Sequence, residues 1–325
     1  MEHPLASLWC AHPRIHSGEA FSSWLHRSAY ANGMADHTFC RHLLGDRTLW
    51  NRDVDHLASP ELLAKASAGT GELYGRLMAG TLNSLDGVFF QLPLRSGHFP
   101  WILSLGVYHR LRRRHGQQYC AACLREAAWA KLEWRYAWAI CCTRHACLLH
   151  DACPECDAPF NFHRLSLATP GRLQCHACGT NLLQPRDSFP ATQRQMRFQQ
   201  RLMRASMGEP FALGNDRIMP TMLFAGLRVL ARGIYSTHNR EGLVATMQRT
   251  ERMCAPRRPP MNIEHWRLKA RVFALSALQQ TLVDWPRRFI HSARRARIYR
   301  CRFDDRYGKP APAWLEDVLA LLERR

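Results

Sequence analysis

The chain has 325 residues, 46% of them hydrophobic and 22% charged, and a formal charge of +19. Length and apolar content exclude an intrinsically disordered chain and leave room for two or three domains with a sizeable core. A surplus of 45 Lys and Arg over 26 Asp and Glu attracts polyanions, and nucleic acid is the expected one.

The surplus is uneven. Residues 193–325 carry a net +15 and residues 1–192 only +4. Of the 45 basic residues 41 are Arg; codon bias explains Arg over Lys but not the shortage of acids. The start, Met1-Glu-His-Pro-Leu-Ala, lacks the basic region and apolar run of a secretory signal, and no apolar stretch approaches a membrane span of about 20 residues. A cytoplasmic protein without membrane association is expected, and there thiols stay reduced.

In chain order, the pattern predicts a mostly α-helical protein. Its expected parts are an N-terminal, helix-turn-helix-like helical unit over residues 1–95, tandem zinc ribbons over 96–187 and a basic helical domain over 188–325. Gly18 to Ala31 places Phe21, Trp24, Leu25 and Ser28 on one helical face, with His26 and Arg27 opposite, and Asn32-Gly33 ends the helix. A second helix is expected over Asp36–Leu44, burying Phe39, Leu43 and Leu44. Ser59-Pro60 reads as a cap and first turn, and Gly69-Thr-Gly-Glu72 as a turn into Leu73–Leu82. Two short helices around such a turn suit a helix-turn-helix, although the segment is nearly neutral and DNA readers bring cations to phosphate. His109 to His115 holds Arg110, Arg112, Arg113 and Arg114, either a solvated helix face or a contact with phosphate or a partner.

The central stretch carries the strongest signal. Cys120-x2-Cys123 is followed after eighteen residues by Cys142-x2-His145; Cys153-x2-Cys156 is followed, again after eighteen, by Cys175-x2-Cys178. Paired ligands on two tight turns, separated by about 15–20 residues, form a structural zinc site, since each turn offers two donors to one tetrahedron. The repeat predicts two structural Zn2+, one held by three cysteines and a histidine and one by four cysteines. Cys141, Cys147 and His150 lie close enough in sequence to substitute as ligands in the first. Trp129, Trp134, Tyr136 and Trp138 between the knuckles are expected to pack the ribbons rather than to stack on bases.

Beyond Pro185, a helix is expected from Thr192 to about Met207, exposing Arg194, Arg197, Arg201 and Arg204. A mostly apolar, buried helix should cover Pro220–Tyr235, a third should start at Asn239, and Ala255–Pro260 is a break. Ile263–Val283 reads as the longest amphipathic helix. Pro286 opens another, whose Arg287, Arg288, Arg294, Arg295 and Arg297 are the best candidates for nucleic-acid backbone contact. Trp314–Leu322 is expected to form a short helix that docks back or onto a partner.

Several of these segments resemble the TniQ family, which includes the related TnsD proteins. They are Gly18-Glu-Ala-Phe-Ser-Ser-Trp-Leu-His-Arg27, Trp101-Ile-Leu-Ser-Leu-Gly106, Tyr119-Cys-Ala-Ala-Cys-Leu124, Glu133-Trp-Arg135 and the knuckles from Cys142 to Gly179. Asp284-Trp-Pro-Arg-Arg-Phe289 resembles a segment of some members. The likeness covers about residues 1–185; Ala121 replaces a frequent proline, and Glu126 alone remains of a frequent acidic pair. The resemblance implies a bacterial, nucleoid-associated target-site selection factor of DNA transposition that recruits an AAA+ ATPase and, through it, the transposase. Some relatives bind target DNA directly. Others ride on an RNA-guided CRISPR effector complex (Cascade), often as a homodimer, and the modest length leans toward that adaptor mode or toward the simpler TniQ of mercury-resistance-type transposons.

Catalysis is not expected. The chain has no G-x4-GK[ST] phosphate loop, both zinc sites have four protein ligands and so no open position, and the H-x-E…P-C-x2-C deaminase pattern is missing. The alternative is a zinc-containing, sequence-specific DNA-binding transcription regulator without transposition partners.

Overall fold

The computed structural model describes residues 8–92, 99–108, 111–164, 173–185, 189–234, 262–304 and 310–323. The helix expected from Asn239, the break at Ala255–Pro260 and Arg110 lie outside them. The chain is mostly helical and divides into two compact units, each assembled from three stretches.

The first unit takes 1–86, 103–139 and 147–190. Helix α1, Phe21–Ala31, buries Phe21, Trp24, Leu25 and Ser28 completely, as the spacing requires. Trp24 stacks on Phe21 at 5.4 Å, and Trp9 meets the edge of Phe39 at 4.9 Å. The buried arc is wider than expected, because α2, Asp36–Phe39, and the turn at Phe162–Arg164 pack on the flank of α1. His26, expected in solvent, is therefore buried with Nδ1 3.0 Å from Asp36, while Arg27 pairs with Glu19 at 2.6 Å. The segment after α2 continues as one wide turn, Cys40–Leu44, and stops at Gly45.

Helix α3 is Val54–Leu57, and α4, Pro60–Thr70, starts where the Ser59 side chain accepts from the Leu62 N–H. Gly71 ends α4, and α5 follows at Tyr74–Ala79, giving the helix–turn–helix order. Its second helix has one cation, Arg76, which Glu72 holds at 3.6 Å. Val107–Tyr108 pairs antiparallel with Leu111–Arg112, so Arg112 sits on a strand and not on a helix. Strand pairing lets Arg112 turn inward while Arg113 and Arg114 stay exposed.

Helix α6, Ala121–Glu126, leads into the aromatic stretch. Trp134, Tyr136 and Trp138 are buried there, and Trp129 stacks on His16 at 5.1 Å. Arg135 between them is fully buried. Its guanidinium reaches Asp53 at 2.6 Å, Asp55 at 3.0 Å and the Leu103 carbonyl at 3.1 Å, and Asp55 also accepts from the Ser22 N–H at 2.7 Å. Burial alone would pull Arg135 down, but Asp53 and Asp55 hold it above its usual value. Three segments far apart in sequence meet at this one cation, and Asp55 ties in a fourth through Ser22.

The second unit takes 87–102, 140–146 and 191–325. Helix α7, Gln193–Ser206, opens with a capping box between Thr192 and Gln195. A hairpin follows, Phe211–Leu213 paired with Asp216–Ile218, and then α8, Pro220–Ile234, which buries Leu223, Phe224, Leu227 and Leu230. Helix α9, Leu268–Thr281, was expected to be amphipathic. It is instead buried from Arg271 to Leu278 without a break, because neighbours cover it on every side; Ile263–His265 forms a separate turn before it.

Helix α10, Arg287–Arg295, and helix α11, Ala313–Leu319, complete the unit. Trp314 of α11 donates to the Met222 carbonyl at 2.9 Å, so this helix docks back onto α8. Small residues make that approach possible: a Cβ on Gly226 would lie 2.1 Å from the Trp314 ring, and one on Gly233 2.2 Å from Phe303. Trp101 fills the same unit, with its indole N–H on the Phe224 carbonyl at 2.8 Å and its backbone N–H on Glu264, which also pairs with Arg228 at 2.9 Å. Among the described residues, no helix is long and apolar enough to cross a membrane.

Candidate metal centres and basic surface

The second cysteine repeat shows how the chain builds a ligand pair. In Cys153-Pro-Glu-Cys156, the Asp157 N–H donates to the Cys153 carbonyl at 3.0 Å, and the Cys153 N–H donates to Ala158 at 2.9 Å. In Cys175-His-Ala-Cys178, Gly179 and Thr180 repeat the same two bonds with the Cys175 backbone at 2.9 and 2.8 Å. Both turns need a left-handed residue just after the second ligand, Asp157 at φ 58° and Gly179 at φ 75°. Short antiparallel bridges, Ala152 with Pro159 and Gln174 with Asn181, close the frames at matching positions. Ala146, just after His145, has φ 50° and marks the same turn in the first repeat.

These turns bring the donors together. The ligand atoms of Cys120, Cys123, Cys142 and His145 lie within 4.8 Å of one another, and so do those of Cys153, Cys156, Cys175 and Cys178. Sγ of Cys153 is 3.6 Å from that of Cys178, Sγ of Cys156 is 3.7 Å from that of Cys175, and Sγ of Cys142 is 3.4 Å from Nδ1 of His145. A disulfide requires about 2.05 Å. A tetrahedron with bonds of about 2.3 Å to sulfur and 2.0–2.1 Å to nitrogen has edges of about 3.8 and 3.6 Å. The spacing fits a cation between the donors and not a bond across them, and soft thiolate with imidazole suits zinc.

The thiols are unequal. Thr180 pulls Cys178 down to about 6 through its hydroxyl and its backbone N–H, whereas burial pushes Cys153 up to about 12. A divalent cation makes four thiolates of such a set by supplying the compensating charge.

The neighbouring donors have separate places. The Cys141 carbonyl accepts from Gln199 at 2.6 Å and its N–H donates back at 3.0 Å, so Gln199 holds this residue from α7. His150 stacks on Tyr119 at 5.2 Å. Cys147 comes nearest, its Sγ 3.8 Å from that of Cys120. Tyr119, just before Cys120, also stacks on Phe160 at 4.6 Å, and its hydroxyl donates to the Ala152 carbonyl, just before Cys153.

The basic candidates divide. Arg112 is half-buried and donates to the Phe160 carbonyl at 3.3 Å; burial and then Arg135 push it down to about 10, so it braces the fold. Arg287, Arg288, Arg294, Arg295 and Arg297 are all exposed around α10, whose buried face is Phe289, Ser292 and Ala293. An open depression of about 530 Å³ is lined by Arg287, Ile290, His291, Arg294 and Arg295. Sequence reading missed the cation that organises the first unit, Arg135, because its partners Asp53 and Asp55 lie 82 and 80 residues away.

Compared with known proteins, residues 10–149 match the TniQ family model. No curated protein matches the chain.

Proposed function

We propose that this protein, whose residues 10–149 match the TniQ family model, is an adaptor that selects the target site for DNA transposition, joining target DNA to an AAA+ ATPase and through it to the transposase. The family match is the observation that carries this reading. The two ligand clusters hold structural Zn2+, with Cys120, Cys123, Cys142 and His145 on one ion and Cys153, Cys156, Cys175 and Cys178 on the other. Four protein donors leave no open position on either ion, so the zinc shapes a surface and activates no water. The adaptor therefore acts by placing partners and not by catalysis. Cations at Arg113, Arg114 and α10 are its candidate DNA contacts, and the near-neutral helix–turn–helix is left for protein contact.

The test is an insertion assay in cells that carry the transposase and ATPase, with and without this protein. Loss of site-specific insertion, together with retention of the ATPase on the immobilised zinc-loaded protein, is the expected result. Unchanged insertion, with genome-wide occupancy confined to promoters, would replace this reading with that of a transcription regulator. Targeting that survives only with a guide RNA complex present would identify the RNA-guided mode.

A further inference from the structure

The sequence directs attention to α10 as the basic element of the second unit, but the unit carries a second row of cations, on α7. Arg194, Arg197, Arg201 and Arg204 recur along α7 at intervals of three, four and three residues, so they share one face, and all four are exposed. The opposite face is fixed by burial of Gln195, Phe198, Gln199, Leu202 and Ala205. At about 1.5 Å per residue the row is about 15 Å long. Among the described residues no carboxylate pairs with Arg194, Arg197, Arg201 or Arg204, nor with Arg287, Arg288 or Arg295.

The hairpin between α7 and α8 ties the two rows together. The Arg201 guanidinium lies over the Phe211 ring, 4.1 Å from its centroid, and donates to the Ala212 carbonyl. Two residues on, the turn at Gly214 reaches the other helix: a Cβ there would sit 3.4 Å from the carbonyl oxygen of Trp285, just before α10. Trp285 in turn stacks on Phe289 of α10 at 5.3 Å. Over residues 193–218 and 284–297, which hold α7, the hairpin and α10, ten arginines are exposed (Arg217 on the hairpin among them), against the exposed acids Glu209, Asp216 and Asp284.

We propose that α7 and α10, coupled by the 211–218 hairpin, form one two-helix surface that tracks the phosphate backbone of duplex DNA. Evenly spaced charges along a rod match a ligand whose own charge repeats every ~1.7 Å of axis, whereas an acidic protein offers charge at irregular points. Guanidinium groups suit bidentate phosphate contact. Such a surface supplies affinity and orientation without reading bases, so target choice falls to a partner or to another part of the chain. The inference rests on the DNA-contact part of the proposed function and not on transposition.

The experiment measures binding of the full, zinc-loaded chain to a fluorescent random-sequence duplex across a salt series. The variants are R194A/R197A/R204A, R287A/R288A/R295A, their combination, and R113A/R114A. Arg201 and Arg294 are left intact because they donate to the Ala212 and Leu321 carbonyls. Each lost phosphate contact lowers the slope of log K against log salt by about 0.9. Each triple variant should flatten the slope by about 2–3 and the combination by about 5, equally on every sequence, while Arg→Lys versions keep it. An unchanged slope in R194A/R197A/R204A overturns the two-helix surface. So does loss of binding confined to R113A/R114A, which leaves the DNA reading standing. A wild-type chain that binds no duplex even at low salt removes the DNA reading itself. Displacement by polyglutamate as readily as by DNA overturns the assignment to phosphate. Unchanged zinc content and melting of the variants exclude a folding effect.

Discussion

The two units of this protein solve the problem of a core in different ways. The second is a conventional helical assembly, in which α8 and α9 supply the apolar volume and Trp101, Trp314 and Phe303 lie against them. The first strings together helices of 4–11 residues with long irregular connections, and it adds the Cys153, Cys156, Cys175 and Cys178 cluster and a buried ion cluster to its apolar packing. Charge follows the same division, with the C-terminal part strongly basic and the N-terminal part close to neutral. A unit tied by a few point fastenings fails when one is removed, whereas a packed helical unit loses stability by degrees.

Metal removal should have the largest effect, and it should fall on the first unit. Structural zinc contributes about 10–16 kcal/mol in small peptides. Chelation, or Cys156→Ser or Cys178→Ser, should therefore abolish the fold around residues 147–190, read as loss of amide-exchange protection there with α8 and α9 still protected. Elemental analysis of the intact protein should give two zinc ions per chain; fewer sinks the two-site assignment. Arg135→Ala comes next: it strands Asp53 and Asp55 and should cost about 3–5 kcal/mol in denaturant unfolding. In the second unit, Gly226→Ala drives a methyl group into Trp314. It should cost about 1–3 kcal/mol while leaving zinc content untouched.

A smaller, pH-dependent effect belongs to His163, which packs on Trp50 at 4.6 Å and is held down to about 2 by burial and then by Arg112. Its folded value lies below the ordinary 6.5, so its contribution is complete above that pH and is lost as pH falls. Between pH 7.5 and 5.5 the wild type should lose about 1.4 kcal/mol more than His163→Leu. Cys301 is exposed and lies outside both ligand groups, so Cys301→Ser should change neither metal content nor melting.

What could be read from the sequence follows the range of the interactions. The donor groups were legible because a knuckle is local: its ligand spacing is set by one turn. Less legible is the left-handed position after the second ligand, which glycine announces at residue 179 but Asp157 and Ala146 conceal. Helix α1 and the Ser59 cap were legible for the same local reason. The burial of His26 and the inward turn of Arg112 depend on segments distant in sequence, and no periodicity reports them. Helix α9 misled in the opposite sense, because Arg271, Ser276 and Gln280 break up its apolar pattern and yet are buried.

The frames at 153–158 and 175–180 are held by main-chain hydrogen bonds, and the residues between the ligands, Pro154, Glu155, His176 and Ala177, are all exposed. Coordination and surface chemistry are thus written on different atoms of the same six residues. The outward positions can be exchanged, one partner's preference for another's, while an ion held there would see the same four sulfurs. The ribbon is in that sense a mount with an interchangeable face, and its recognition can diverge without renegotiating its stability.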